Sequence, residues 1–309
     1  MSPSVADRPR VLVVGGFGGF VGRSLLPALA PEFRLRSVHR SPVPAEAAAG
    51  VEWIRGDAAD LADWESAVRD VDVLVNVAWY RAGRAARFVA LRNGLERGLA
   101  AAGRAGVRRV LQLSVPPAPE HLERGFPYLV EKRRFDAAVA SSGISYRLLR
   151  PTMLFGPGDV LLSVMLREIR RYGFFPMFGD GHYHVSPLAV ADLARVVRQE
   201  ATSNATGVRS LGGPRRYEYR ELTDLLFRTA GRRPRYWRMS ERNGVRLAAL
   251  LERLGSRLLY AYEAEWLVSD LLGLPPADDV PGGLTSVESY LGASGPSADA
   301  APSLGGPTV

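Results

Sequence analysis

Short apolar runs alternate with amphipathic stretches through the first half of the chain. Residues 10–14 (RVLVV), 33–38, 51–54, 71–78 (VDVLVNVA), 108–114 (RRVLQLS) and 144–151 (ISYRLLRP) read as strands with continuous apolar interiors. Helical periodicity fills the gaps: from the glycine cluster to Leu29, then over 60–69, about 84–105, and 127–142. Strands buried on both sides and separated by helices predict an α/β fold, a doubly wound parallel sheet covered on both faces. After Pro151 the rhythm changes. Residues 159–172, 188–200 and 220–230 read as helices, and 240–273 as one long helical stretch. The expected organisation is a flexible N-terminus (1–9), a nucleotide-binding domain (10–151) and a smaller, mostly helical substrate-binding portion (152–292), able to return strands to the sheet. That portion is expected over the carboxyl edge of the sheet, where open α/β sheets take ligands. The small, polar, Pro/Gly-rich end, 293–309, is expected to be disordered.

Composition narrows the function classes. The 309 residues hold no cysteine, which excludes disulfides, thiol nucleophiles and cysteine metal sites. The N-terminus has no apolar core of a secretory signal. The leucine-rich stretch near 245–260 is broken by Arg246, Glu252, Arg253 and Arg257, so it cannot span a bilayer, and a packed domain helix is expected there. The net charge is +8, and the arginines are spread along the whole chain rather than gathered on one element with interleaved aromatics, which argues against a nucleic-acid partner. The reading is a cytoplasmic monomer or homodimer with a small-molecule substrate, no nucleic acid and no membrane. Of 40 basic Lys and Arg residues, only Lys132 is lysine. Arginine forks its donors, whereas lysine offers a compact ammonium. A position that keeps lysine against this background needs an ammonium.

The first strand runs into GGFGGFVG (15–22), where Gly16, Gly19 and Gly22 are spaced G-x-x-G-x-x-G. Glycine lets the backbone turn sharply and approach a pyrophosphate, and the following helix offers free N–H groups at its positive end. Strand, glycine loop and helix at the start of a βα alternation form the context of a Rossmann-type dinucleotide site. The second strand ends with His39 and Arg40, where an NAD-selective enzyme places a carboxylate for the ribose 2′-hydroxyl. Arg40 suits a 2′-phosphate, so NADP is favoured over NAD. Asp57 follows the third strand, placed to meet adenine.

Ser114 ends the fifth strand, and Tyr128 and Lys132 follow in YLVEK (128–132). Four residues apart on a helix, the phenol and the ammonium share one face. A phenol of ordinary pKa, about 10, is a poor proton shuttle near neutrality. A nearby ammonium favours the phenolate and lowers that pKa. A serine hydroxyl can hold a carbonyl oxygen while charge develops on it. With 11 tyrosines in 309 residues, a lone lysine seldom falls four positions after one by chance.

Taken together, GGFGGFVG, RGD (55–57), NVA (76–78), Ser114, YLVEK and LRPTMLFGPGD (149–159) resemble the short-chain dehydrogenase/reductase superfamily, in its extended or atypical NAD(P)-binding branch. GDG (179–181), VADLA (190–194) and LTSVESYL (284–291) are looser carriers of the likeness. The resemblance implies that Gly16, Gly19 and Gly22 line the pyrophosphate, with Phe17 and Phe20 in the same loop. It implies Arg40 at the 2′-phosphate, Asp57 and Ala58 at adenine, Asn76 and Ala78 along the cofactor, and Pro151 and Thr152 near the nicotinamide. Tyr128 is then the acid/base, Lys132 the holder of ribose hydroxyls, and Ser114 the substrate-orienting group. Three departures stand out: Trp79 and Tyr80 where relatives often have glycine, Ser114-Val115-Pro116-Pro117 where many have two serines, and HYH (182–184) where nucleotide-sugar enzymes carry arginine.

On the substrate side, Trp79, Tyr80, Phe155, Phe174 and Phe175 are candidates for an apolar wall and lid, with His182 and His184 as polar contacts. Filling of the core is the competing reading of the GFFPMF segment (173–178). No metal site is expected. The sequence reading is an NADPH-dependent ketoreductase for an apolar or aromatic carbonyl substrate. The alternatives are an epimerase or dehydratase that retains its cofactor, and a nucleotide-binding structural protein without chemistry.

Overall fold

The computed structural model describes residues 7–16, 18–40, 50–159, 161–256 and 259–293. Phe17 and the tail from residue 294 lie outside the described residues. The elements run β1 (Arg10–Val14), α1 (Phe20–Leu29), β2 (Arg34–His39), β3 (Val51–Arg55), α2 (Trp64–Val68), β4 (Val73–Asn76), α3 (Ala85–Arg104), β5 (Arg109–Leu113), α4 (Glu120–Gly125), α5 (Pro127–Ala140) and β6 (Ser145–Pro151). They continue β7 (Leu154–Phe155), α6 (Leu162–Tyr172), β8 (Phe175–Phe178), β9 (His184–Val185), β10 (Leu188–Ala189), α7 (Val190–Thr202), β11 (Gly207–Leu211), β12 (Tyr217–Glu218) and α8 (Tyr219–Thr229). The last are β13 (Tyr236–Met239), α9 (Glu241–Arg253), α10 (Ala261–Val268) and α11 (Val287–Ala293).

The principal sheet has seven strands in the order β11-β6-β5-β4-β1-β2-β3. Strands β1 to β6 pair in parallel. The strand order reverses between β1 and β4, so the turns leaving those two strands flank the crevice at the switch point. Val11, Leu12 and Val13 are fully buried, as a strand covered on both faces requires. A core of Leu12, Val14, Trp64, Leu74, Leu91 and Phe135 packs α2, α3 and α5 against this sheet.

The chain divides into two compact units. The first runs to Val115 and includes Glu120–Pro151 and Ala191–Arg209; the second comprises Pro116–Pro119, Thr152–Val190 and the residues from Ser210. Two buried charges brace the first unit. Arg36 on β2 donates to the carbonyls of Ser66, Ala67 and Arg69 at the end of α2, at 3.2, 2.9 and 2.8 Å. Glu200 on α7 is buried and pairs with Arg109, Arg147 and Arg209 at 3.2, 3.2 and 2.9 Å.

The second unit has its own core, around Phe155, Leu166, Met177, Tyr217 and Phe227. Here the sequence reading needs two corrections. The helical stretch expected over 240–273 is two helices, α9 and α10. The leucines expected to pack along it are in part open to solvent: Leu250 is 52% exposed and Leu254 75%. The 173–178 segment, weighed as core filling against an apolar lid, forms strand β8 over Phe175–Phe178, paired in parallel with β13, and places Phe175 and Met177 in the core. Strands β7, β9, β10 and β12 are two residues long, too short to leave a period in the sequence. Among the described residues no helix is long and apolar enough to cross a membrane.

Candidate active site

Strand β1 leaves the sheet through Gly15, whose φ of +91° is a conformation that L side chains rarely adopt. A Cβ there would fall 2.7 Å from the Ala78 backbone. Gly16 and Gly22 are held by close approach: added Cβ atoms would lie 2.0 Å from Ser37 Oγ and 1.8 Å from the Gly16 carbonyl oxygen. Gly19 differs, since a Cβ on it would meet nothing nearer than 3.5 Å, and it faces an open cavity. It is the N-cap of α1, and among the described residues no side chain caps that helix, so its first N–H groups can take an anion. Phe20, the first helical residue, is half-buried.

The cavity has a volume of about 200 Å³. The glycine turn forms its floor with Gly15, Gly18 and Gly19; Val38, His39 and Arg40 close one side, and Gly56, Asp57 and Ala58 another. The turn after β4 supplies Val77, Ala78, Trp79 and Tyr80. Burial, helped by the charge of Arg40, holds the His39 imidazole below its ordinary pKa. Asp57 accepts the Tyr80 hydroxyl at 2.8 and 2.9 Å, and Arg40 Nη1 lies 3.6 Å from Asp57 Oδ2. The Arg87 guanidinium stacks on the Tyr80 ring, 4.0 Å from its centroid. Burial first, then the bond to Asp57, pushes the Tyr80 phenol up, so it remains a donor.

Asn76 does not face the cavity. It is buried, its Nδ2 donates to Gln112 Oε1 at 2.7 Å, and its Oδ1 accepts from the Ala78 N–H at 3.1 Å. Its work is to shape the turn that presents Ala78 and Trp79.

Helix α5 starts at Pro127, well suited to the first helical position, and carries Tyr128 and Lys132 one turn apart. Tyr128 sits in an aromatic box, edge-on to Trp79 at 6.3 Å and to Phe88 at 5.8 Å, and stacked on Phe126 at 6.1 Å. Lys132 is buried, and its Nζ lies over the Trp79 ring, 4.4 Å from the centroid. Among the described residues it has no hydrogen-bond or ion-pair partner. Burial pushes its pKa down to about 8, against an upward pull from Asp136. Trp79 Nε1 is likewise buried without a partner. Two unsatisfied donors beside a glycine cradle and an uncapped helix fit an acceptor-rich ligand, which a dinucleotide is.

Ser114 is buried and donates its hydroxyl to Asp136 Oδ2; it also accepts from Arg133 Nη1 at 3.3 Å. Arg133 is held in turn by Glu123 at 2.7 Å. The Ser114 proton is thus engaged toward α5. Pro151 is buried at the end of β6. Thr152 opens the second unit, its hydroxyl donating to the Ser186 carbonyl and its N–H to the Leu211 carbonyl at 3.1 Å.

The remaining substrate candidates also lie in the second unit. Phe155 is fully buried and packs against Tyr290 at 5.3 Å, and Phe175 is in the same core, so both are packing residues. Phe174 is 42% exposed. His182 and His184 pair with Glu218 and Asp270 at 2.8 and 2.9 Å. Arg87, Phe88, Phe126 and Asp136 belong to the site without having been singled out in the sequence. Only Asp136 left a trace, four residues beyond Lys132 on the same helical face.

Residues 16–165 match the family model described as NAD(P)H-binding. The chain is 28% identical over 303 residues to a 2-alkyl-3-oxoalkanoate reductase of Stenotrophomonas maltophilia, covering 86% of each chain. It is 26% identical over 257 residues to a ceramide reductase of Caulobacter vibrioides, covering 81% of this chain and 80% of that one. Its fold is similar to that of a nucleoside-diphosphate-sugar epimerase from Staphylococcus aureus, with a TM-score of 0.72 at 17% identity, over 91% of this chain and 99% of the other.

Proposed function

We propose that this chain, an NAD(P)-dependent oxidoreductase of the short-chain dehydrogenase/reductase type, is an NADPH-dependent ketoreductase acting on a carbonyl carried by an apolar, alkyl-chain substrate. The observation that carries this reading is the solitary lysine, buried and, among the described residues, without a hydrogen-bond or ion-pair partner, one helical turn from Tyr128. A packing role needs no ammonium there. A proton shuttle does, because the positive charge favours the phenolate that remains once Tyr128 has given its proton to the carbonyl oxygen. Bound NADPH supplies the hydride to the carbonyl carbon, so that hydride and proton together yield the alcohol. Lys132 also offers its free N–H groups to ribose hydroxyls. The α1 terminus and the glycine turn take the pyrophosphate.

NADPH rather than NADH is supported by Arg40 at the cavity edge. The carboxylate nearest to it, Asp57, is engaged by Tyr80 and Arg40, so its charge is compensated where a 2′-phosphate would approach. The alkyl-chain substrate is supported by the two reductases to which the chain is similar over most of its length. The epimerase likeness is one of fold. Ser114 acts through position: with its proton on Asp136, it stiffens the floor of the site and tethers α5 to β5.

The test is NADPH oxidation, followed by absorbance, against 3-oxo acids of graded chain length and against UDP-sugars. Stoichiometric NADPH consumption with a long-chain ketone is expected, and Tyr128→Phe should keep NADPH binding while losing about a thousandfold in turnover. Sugar epimerisation without net NADPH consumption, or full activity in Tyr128→Phe, would refute the reading.

A further inference from the structure

Helix α9 of the second unit is held by a narrow face. Gly244 and Ala248 are its buried residues, and a Cβ on Gly244 would lie 2.4 Å from the Phe178 ring. The outward row, four residues apart, continues past the end of the helix as Arg242, Arg246, Leu250 and Leu254. Its first half is basic and its second half apolar, with Leu250 52% and Leu254 75% exposed. Strand β13, just before α9, shows the same mixture. In its register with β8, Tyr236 pairs with Phe175 and Trp237 with Pro176. Side chains alternate along a strand, so Tyr236 and Phe175 share the covered face while Trp237, 56% exposed, stands on the open one.

Much of the basic charge of this region is unpaired. Residues 232–256 hold seven arginines against two glutamates, a net +5 out of +8 for the chain. Among the described residues, Arg233, Arg235, Arg242, Arg246 and Arg253 make no ion pair. Arginines elsewhere, such as Arg92, Arg104, Arg109 and Arg133, are paired with carboxylates.

We propose that this face of the second unit docks on an anionic lipid surface. Unpaired guanidiniums interspersed with exposed leucines and a tryptophan match phosphate headgroups above an apolar layer. A second copy of the chain would bring the same +5 against itself. A nucleic acid or an acidic protein would satisfy the arginines and leave Leu250 and Leu254 in water. The expectation of no membrane contact rested on the lack of a spanning segment and on reading this stretch as a packed domain helix, and the exposure of Leu250 and Leu254 departs from that packing. This inference is independent of the proposed reductase activity, and its test involves no turnover.

The full chain is sedimented with vesicles containing about a third phosphatidylglycerol, or with pure phosphatidylcholine vesicles, at low and high salt. Binding to the anionic vesicles that weakens with salt is expected. Each of Arg242→Gln and Arg246→Gln should lower partition about fivefold. Leu250→Ser with Leu254→Ser should lower it about tenfold or more, with an unchanged thermal melt as proof of folding. Equal binding to both vesicle types, or no effect of the leucine pair, overturns the proposal. So does a concentration-dependent dimer that the leucine pair dissolves, or tight binding to RNA that leaves the vesicles empty.

Discussion

The ammonium of Lys132 sits over the indole of Trp79, 4.4 Å from the ring centroid, and the same indole meets Tyr128 edge-on at 6.3 Å. Trp79 therefore joins the dinucleotide cavity, whose wall it forms, to both members of the Tyr-Lys pair. A π face offers a buried cation partial compensation without occupying its N–H groups, which stay free for a ligand.

That arrangement predicts the pH dependence of catalysis. The Lys132 pKa is pushed down to about 8, so the ammonium is lost as pH rises through that value, and kcat/KM should fall on the alkaline side. Removing the indole removes a stabilisation of the charged form worth about 0.5–2 kcal/mol, so Trp79→Leu should move the alkaline limb down by about 0.4–1.5 pH units. Trp79→Phe should move it less. A limb that stays in place in Trp79→Leu would separate the indole from the lysine.

Burying an ammonium in this way also predicts a cost in stability. The folded-state pKa of Lys132 is depressed from 10.5 to about 8. Below about 8 the lysine is charged in both states and the burial cost is fully present. Between 8 and 10.5 the folded protein has released a proton that the unfolded chain keeps, so stability rises with pH across that window. Lys132→Met should therefore be more stable than the wild type by about 3 kcal/mol near pH 7, while inactive, and the gap should close towards pH 10. Denaturant melts at pH 7 and pH 10 check this. A variant less stable at both would mean that the lysine stem, rather than its charge, dominates.

Much of the first unit could be read in advance, and the reason lies in its period. Strands such as β1, with Val11, Leu12 and Val13 fully buried, leave unbroken apolar runs, and α3 and α5 leave clear helical spacing. The glycine turn was legible because the close approaches of Gly16 and Gly22 admit no side chain. The Tyr-Lys pair was legible because helix spacing is local. What could not be read is contact across the fold. Arg87 is one of 39 arginines, and nothing in the sequence says that it stacks on Tyr80. Ser114 carries the residue type that a carbonyl holder needs, yet its proton goes to Asp136, 22 positions away. In the second unit, two-residue strands and an α9 with a narrow buried face have too weak a period to reveal which leucines are covered.

The cavity edge predicts cofactor choice. Arg40→Ala should weaken NADPH binding about 10–100-fold, the worth of one charge-assisted contact, and change NADH binding by less than about twofold. Arg87→Met should weaken both cofactors modestly and equally, because its guanidinium braces Tyr80 and through it Asp57. Titration of each variant with both cofactors separates the two roles. Equal losses of NADPH and NADH in Arg40→Ala would remove the 2′-phosphate assignment.

The last prediction concerns the charge cluster that ties α7 to the sheet. Glu200, 3% exposed on its side chain, faces Arg109, Arg147 and Arg209. Burial depresses the Arg109 pKa, and Glu200 works against that depression. Glu200→Gln keeps the shape and two of the acceptor positions but removes the negative charge that Arg109, Arg147 and Arg209 share. Breaking a buried pair from one side costs about 3–5 kcal/mol, so the variant should unfold at a markedly lower denaturant midpoint with an unchanged slope. Pairing it with Arg147→Met removes one of the stranded charges and should recover part of the loss, a sign of coupling that two independent packing defects would not give. Additive losses in the double variant would show that Glu200 and Arg147 contribute independently, and an unchanged midpoint in Glu200→Gln would show that Glu200 serves by shape alone.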